Sequence, residues 1–166
     1  TGADVFSYEP GSNYLSVATA AEVLTVNGTD TITDFTTAQN DMLSVSSLLQ
    51  ADTGFYEERA FVSGTAASIA AAPGNNNVIV VTNVQTGTGG SMTLAEVDAL
   101  IATLSISTGS GTLLVNNNGT VQLYYDSNLG NAGGASDVAL IGIITTPGIA
   151  ADLVNITAAN IPEPAG

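Results

Sequence analysis

Thr112-Leu113-Leu114-Val115-Asn116-Asn117-Asn118-Gly119-Thr120-Val121-Gln122-Leu123-Tyr124-Tyr125 is the stretch that decides the fold. Two apolar runs, Thr112 to Val115 and Val121 to Tyr125, flank an Asn- and Gly-rich turn, which predicts a β-hairpin. Val78 to Val84 and Val138 to Ile144 are short apolar runs rich in β-branched residues and read as buried strands. Shorter strands are expected at Val5 to Tyr8, Met42 to Val45, Ala60 to Val62 and Leu153 to Ile156. Breaks fall at Pro10-Gly11, Asn75 to Asn77 and Gly87 to Gly90, and Pro162 and Pro164 make the end irregular.

Helices are few in this reading. Thr93 to Leu104 is the clearest: Thr93 caps, Glu96 completes a capping box, and Leu94, Val97, Ile101 and Leu104 fall on one face. The Ala-rich run Ala66 to Ala72 is helix-compatible and stops at Pro73-Gly74. Residues 12 to 28 stay open between a capped helix at Thr19-Ala20-Ala21-Glu22 and a strand at Val23 to Val26. Many short, turn-separated strands and little helix give the expected class. It is mainly β, a compact β-roll- or β-sandwich-like domain with one or two short helices.

Composition narrows the chemistry. The 166 residues hold 15 Asp and Glu against a single basic residue, Arg59, with no His and no Cys, for a net charge of −14. Ser-His-Asp and Cys-His catalysis are therefore impossible. Glu57 and Glu58 are adjacent, so in a strand they point to opposite faces and make no paired-carboxylate cleft. The chain is read as a non-enzyme. One Arg cannot neutralise nucleic-acid phosphates, and anionic lipid would repel the chain. No apolar run reaches the roughly 20 residues of a membrane span. The expected partners are thus neither nucleic acid nor a membrane interior.

Apolar residues make up 45% of the chain, enough for a core, while charged residues are only 10%, so Thr, Ser, Asn and Gly must cover the surface. The length fits one domain, or two small ones in close contact. The missing disulfides are compatible with a core that needs none, or with an extracellular chain stapled by metal. The Thr1 start, without Met or an apolar leader, is expected of a fragment or a processed product. Sequons at Asn27, Asn118 and Asn155 are chance-level in so Thr-rich a chain.

Two constellations have the chemistry of a hard cation, which takes about 6 to 8 oxygens at flexible geometry. The first is Asp4 with Asp30, Asp34 and Asp41. In an extended segment Asp30, Ile32 and Asp34 share one face, and Phe35 breaks the alternation, so a bend is expected just after Asp34. The second is Asp126-Ser127-Asn128-Leu129-Gly130, followed by Asn131, Gly133-Gly134 and Asp137. There oxygen donors alternate and Gly permits a sharp turn. The expected metal positions are Asp4, Asp30, Asp34, Asp41, Asp126, Asn128 and Asp137, and calcium is the expected ion. Without His or Cys, zinc is disfavoured. Ordinary turn chemistry explains the same Asp and Asn residues without any metal.

Thr1-Gly2-Ala3-Asp4-Val5-Phe6, Asp30-Thr31-Ile32-Thr33-Asp34-Phe35 and Asp41-Met42-Leu43-Ser44-Val45 together resemble the segment that closes calcium-binding RTX β-rolls. Leu123 to Asn128 with Gly133-Gly134-Ala135, ending Ile156 to Ile161, resembles the C-terminal domain of RTX-type exported bacterial proteins, surface-layer proteins among them. The resemblance covers the two ends and much less of residues 46 to 110. The glycine–aspartate nonapeptides of the β-roll are absent, which argues against a long calcium-stacked solenoid. The resemblance implies type I secretion, folding on calcium at an extracellular or cell-surface location, and assembly with copies of itself. On it rests the expected organisation of residues 1–166 as one extracellular β domain, with an RTX-roll-like end at 1–50 and a C-terminal β part at 75–160.

The expected function is a structural subunit of a calcium-stabilised surface layer, sheet or filament. One alternative is a C-terminal secretion or attachment domain of a larger exported enzyme or adhesin. Another is a carbohydrate-binding β domain stacking sugars on Tyr56, Tyr124 and Tyr125. Arg59 is expected either in a local ion pair with Glu57 and Glu58 or against a carboxylate of a neighbouring subunit.

Overall fold

The structure, a computed structural model, describes residues 2–8, 18–45, 48–49, 59–72, 74–106, 109–130 and 135–162. Its centre is a six-stranded sheet. The strands are β2 (Asp30–Ile32), β4 (Phe61–Gly64), β5 (Val78–Gln85), β6 (Gly111–Asn117), β7 (Thr120–Asp126) and β8 (Val138–Ile144), in the order β2-β8-β7-β6-β5-β4. A separate two-stranded parallel ribbon joins β1 (Val5–Ser7) to β3 (Met42–Ser44). The sheet-rich, compact fold agrees with the sequence. Four short α-helices are present among the described residues instead of one or two: α1 (Ala20–Asn27), α2 (Ala66–Ala70), α3 (Leu94–Thr103) and α4 (Ile149–Asp152).

The hairpin forms as its residues require. Asn117 pairs with Thr120, and Asn118 and Gly119 both take positive φ, 50° and 92°. That backbone suits the right-handed twist of the flanking strands, and Asn-Gly adopts it at low cost. β7 is antiparallel to both neighbours, while the other pairings are parallel. Parallel strands need crossovers, and α2 and α3 supply them between β4, β5 and β6. This explains the uninterrupted apolar run of β5: Val78, Ile79, Val80 and Val81 are covered on both faces. In the β7–β8 ladder Leu123 pairs with Gly142 and Tyr124 with Leu140, so Ile141 is an extra residue at a bulge.

Each sheet face has its own core. On one face Ile79, Val81, Leu113, Val115 and Tyr124 pack against Ile69 of α2 and Val97, Ile101 and Leu104 of α3. On the other, Val80, Leu114, Leu123, Tyr125 and Ile141 meet Val23 of α1, Leu43 and Val45 of the β3 region, Phe35, and Ile149 and Leu153 of the C-terminal segment. Tyr8 and the described residues from Ala18 to Val45 therefore share a core with Ile144, Ile149, Leu153, Ile156 and Ile161, and β2 completes the sheet beside β8.

Two local expectations resolve. Residues 20 to 27 form a helix, because Thr19 and Glu22 make a reciprocal capping box. Leu153 to Ile156 is not a strand. Leu153–Asn155 is a 3-10 turn that buries Leu153 and leaves Val154 62% exposed, and Ile156, three positions on, is buried again. An i, i+3 apolar spacing suits that turn. Pro10-Gly11, Pro73, Pro164, Tyr56, Glu57, Glu58, Asn131 and Gly133-Gly134 lie outside the described residues.

Candidate functional site

The first acidic constellation is built on Asp41, which follows a 3-10 turn (Thr37–Gln39) closed by Asn40 at φ 61°. Asp41 is 1% exposed. Its Oδ1 accepts the main-chain N–H of Asp4 at 2.9 Å and its Oδ2 that of Thr36 at 2.8 Å. Its carbonyl accepts the Asn160 amide at 3.1 Å. The carboxylate thus ties the start of β1 and the 36–41 turn together, and Asn160 brings in the C-terminal segment. Of Asp4 only the main chain takes part in this turn, where Met42 N–H also donates to the Asp4 carbonyl. The Asp4, Asp30 and Asp34 side chains are exposed. Asp30, Ile32 and Asp34 do not share a face. Strand β2 ends at Ile32, which is buried, and the chain bends at Thr33 and Asp34, one residue before the expected place.

The second constellation is different. Asp126 closes β7 and is also 1% exposed. Its Oδ1 accepts the Asn128 N–H at 2.7 Å, an Asx turn. Its Oδ2 is buried with no hydrogen-bond partner among the described residues. Ser127 N–H donates to the Asp137 carbonyl at 2.9 Å, so the β7–β8 connection is closed at its base and Asp137 stands beside Asp126. Asp98 of α3, 8% exposed, approaches from the helix that packs on this face. Burial, then the charges of Asp137 and Asp98, push the Asp126 carboxyl up to about 6, against the Asn128 N–H that holds it down. Sequence reasoning missed Asp98. Its signal was its place beside Val97 and three before Ile101, on the flank of the buried stripe.

The residues around Asp126 fit a hard cation better than those around Asp41. At Asp126 the buried Oδ2 has no hydrogen-bond donor to answer it. At Asp41 two main-chain N–H groups already answer the charge. Among the described residues no three acidic side chains converge on a point that could hold a metal ion.

Arg59 has main-chain partners across the fold, while Glu57 and Glu58, its expected ion-pair partners, lie outside the described residues. The Arg59 Nη1 donates to the carbonyls of Ala158 and Ile161, at the end of a 3-10 turn (Ala158–Asn160) whose start is capped by Thr157 and Asn160. The cation therefore caps this turn of the C-terminal segment, sharing the Ala158 carbonyl with the Ile161 N–H. Nearby, Thr37 Oγ1 and Asn155 Nδ2 donate to Asp152 at 2.8 and 2.6 Å and hold its carboxyl below the usual range.

A cleft of about 390 Å³ lies between these parts, lined by Thr37, Asn40, Met42, Asn155, Thr157 and Asn160. Its lining is uncharged, and Thr37, Thr157 and Asn160 are engaged with protein partners. It offers no acid–base pair. Two of the three expected sugar-stacking tyrosines are not available to a ligand, and the third, Tyr56, lies outside the described residues. Tyr124 is 2% and Tyr125 0% exposed, and Tyr125 OH donates to the Ala18 carbonyl at 2.6 Å. Among the described residues no helix is long and apolar enough to cross a membrane. No protein-family model, curated protein or solved structure matches this chain.

Proposed function

We propose that the chain is a structural subunit of a calcium-stabilised extracellular bacterial assembly, a surface layer, sheet or filament, and that it performs no catalysis. The observation that carries this reading is the charge imbalance of the chain: Arg59 is its one basic residue, with no Lys or His, against 15 Asp and Glu. Neutralisation then has to come from solution cations or from contacts between copies that they make affordable. The sheet supports addition of copies. Its outer strands β2 and β4 run in the same direction, so a copy related by a simple screw operation sets β2 beside β4 as a further parallel pair. Such a heterologous contact does not close on itself.

Light scattering and negative-stain microscopy of the purified chain, with calcium and after chelation, test the proposal. Extended particles in calcium that dissolve on chelation are expected. A monomer of unchanged size and melting temperature in both conditions would overturn it.

A further inference from the structure

We infer that Asn118-Gly119, the turn of the β6–β7 hairpin, is a latent deamidation site that the side chain of Asn116 keeps closed. The site does not depend on the assembly reading.

The turn is well suited in backbone and weak in chemistry. Asn118 and Gly119 both take the positive φ that a two-residue hairpin turn requires. Glycine has no Cβ, so nothing on it hinders its nitrogen from reaching the preceding side chain. Once that nitrogen gives up its proton it attacks Asn118 Cγ and closes a five-membered succinimide. The Cγ–Nδ2 bond breaks, and the amide leaves as ammonia with a proton. Water then adds to one imide carbonyl and reopens the ring to aspartate or isoaspartate. One water is consumed and one ammonia released, with no oxidant and no enzyme. Both turn residues are exposed, so solvent base reaches them.

The reacting N–H is held back. Gly119 N–H donates to Asn116 Oδ1 at 2.9 Å, and Asn116 is 5% exposed. The proton that must leave points at a buried oxygen, and the nitrogen must break this bond to swing toward Asn118 Cγ. The turn is also fixed from β5, where the Gln85 carbonyl accepts the Asn118 N–H at 2.9 Å. Asn116 itself is set in place by pairing with Val121 in the ladder. It acts as a positioning residue, through the hydrogen bond and not by touching the reacting carbon.

The reaction would damage the centre of the fold. Isoaspartate adds a main-chain carbon to a two-residue turn, and the register that sets Leu114 against Leu123 depends on the length of that turn. Asn27-Gly28 provides an internal comparison. Its Gly28 N–H donates to the Leu24 main-chain carbonyl at 2.8 Å at the end of α1, with no part for Asn116.

Peptide mapping of aspartate and isoaspartate at positions 118 and 27 tests the site. The full chain is held at mildly alkaline pH, folded and in urea, and each folded rate is divided by the rate of the same variant in urea. At position 118 the folded parent should react at least tenfold more slowly than the unfolded chain. Asn116→Ala should speed the folded reaction there about five- to tenfold, the worth of one hydrogen bond, and leave position 27 unchanged. Asn116→Asp keeps an acceptor oxygen and should restore the slow rate. Circular dichroism checks that each variant is folded. Equal folded and unfolded rates in the parent overturn the inference, as does an Asn116→Ala rate that is unchanged or that rises equally at both positions. So does an Asn116→Asp chain as fast as Asn116→Ala. Amide hydrogen exchange of Gly119 in the parent needs no variant: it should be slowed, and exchange at the unprotected rate overturns the guard.

Discussion

Asp41 reaches across 37 residues of sequence to accept the main-chain N–H of Asp4 at 2.9 Å. The same carboxylate takes the Thr36 N–H, and the Asp41 carbonyl takes the side chain of Asn160. A residue that reads as a metal ligand in the sequence thus works as a main-chain acceptor that gathers both ends of the chain.

Replacing that acceptor has a definite cost. In Asp41→Asn one oxygen becomes an NH2 group, which faces a main-chain donor and leaves it unsatisfied. The expected loss is about 1–3 kcal/mol in urea unfolding. The loss should be the same with calcium and with chelator. A calcium-dependent loss would return Asp41 to the metal ligands.

Arg59 holds the C-terminal segment through two charge-assisted hydrogen bonds. Arg59→Ala should cost about 2 kcal/mol of stability, a figure set by hydrogen bonds to charged groups at a half-buried site. Hydrogen exchange should quicken locally at Ala158 to Ile161 before the sheet is affected. Arg59→Lys keeps the charge without the planar fork and should recover only part of the loss.

Two sheet glycines differ in what a methyl group would meet. At Gly111 a Cβ would lie 2.3 Å from Leu129 Cδ1 and 2.5 Å from the Asn77 carbonyl, which is main chain and cannot swing aside. At Gly142 the nearest atom is the Tyr8 hydroxyl at 2.7 Å, the far end of a side chain, followed by Leu123 Cβ at 3.3 Å. Overpacking of this kind costs about 1–3 kcal/mol, occasionally more. Gly111→Ala is expected at the top of that range or above it and Gly142→Ala near the bottom, as read from urea midpoints. The reverse order would mean that the Asn77 segment yields more readily than the Tyr8 ring.

Much of the fold was legible because its signals are local. Thr19 with Glu22 and Thr93 with Glu96 are capping boxes whose partners are three positions apart, and both form. Asn118-Gly119 specifies its own turn. The parallel sheet order was not legible, since pairing Asp30–Ile32 with Gly142–Ile144 joins residues about a hundred positions apart. Leu153–Asn155 misled because β-branched residues also fit a 3-10 turn when the apolar spacing is three. At the candidate site Asp126 was visible as a turn carboxylate, but the orphaned Oδ2 and the approach of Asp98 exist only once α3 packs on the sheet. The carbonyls that Arg59 binds leave no trace in sequence, as every residue has one.

Two carboxylates give the pH dependence opposite signs. Glu96 accepts from the hydroxyl and main chain of both Thr88 and Thr93, and these bonds lower its pKa to about 2. Its folded pKa lies below the unfolded value, so its contribution is complete above about 4.5 and is lost as pH falls toward 2. Asp126 runs the other way. Burial raises its pKa from 3.8 to about 6, so the folded chain binds the proton more tightly than the unfolded one. Below pH 3.8 there is no penalty. Between about 4 and 6 stability falls as pH rises, and above 6 the penalty is complete. A shift of this size corresponds to about 3 kcal/mol at full effect. Urea unfolding in chelator should therefore show the Asp126 contribution declining from pH 4 to pH 6.5, and Asp126→Asn should remove that decline. A decline that survives in Asp126→Asn would assign the titration to another group.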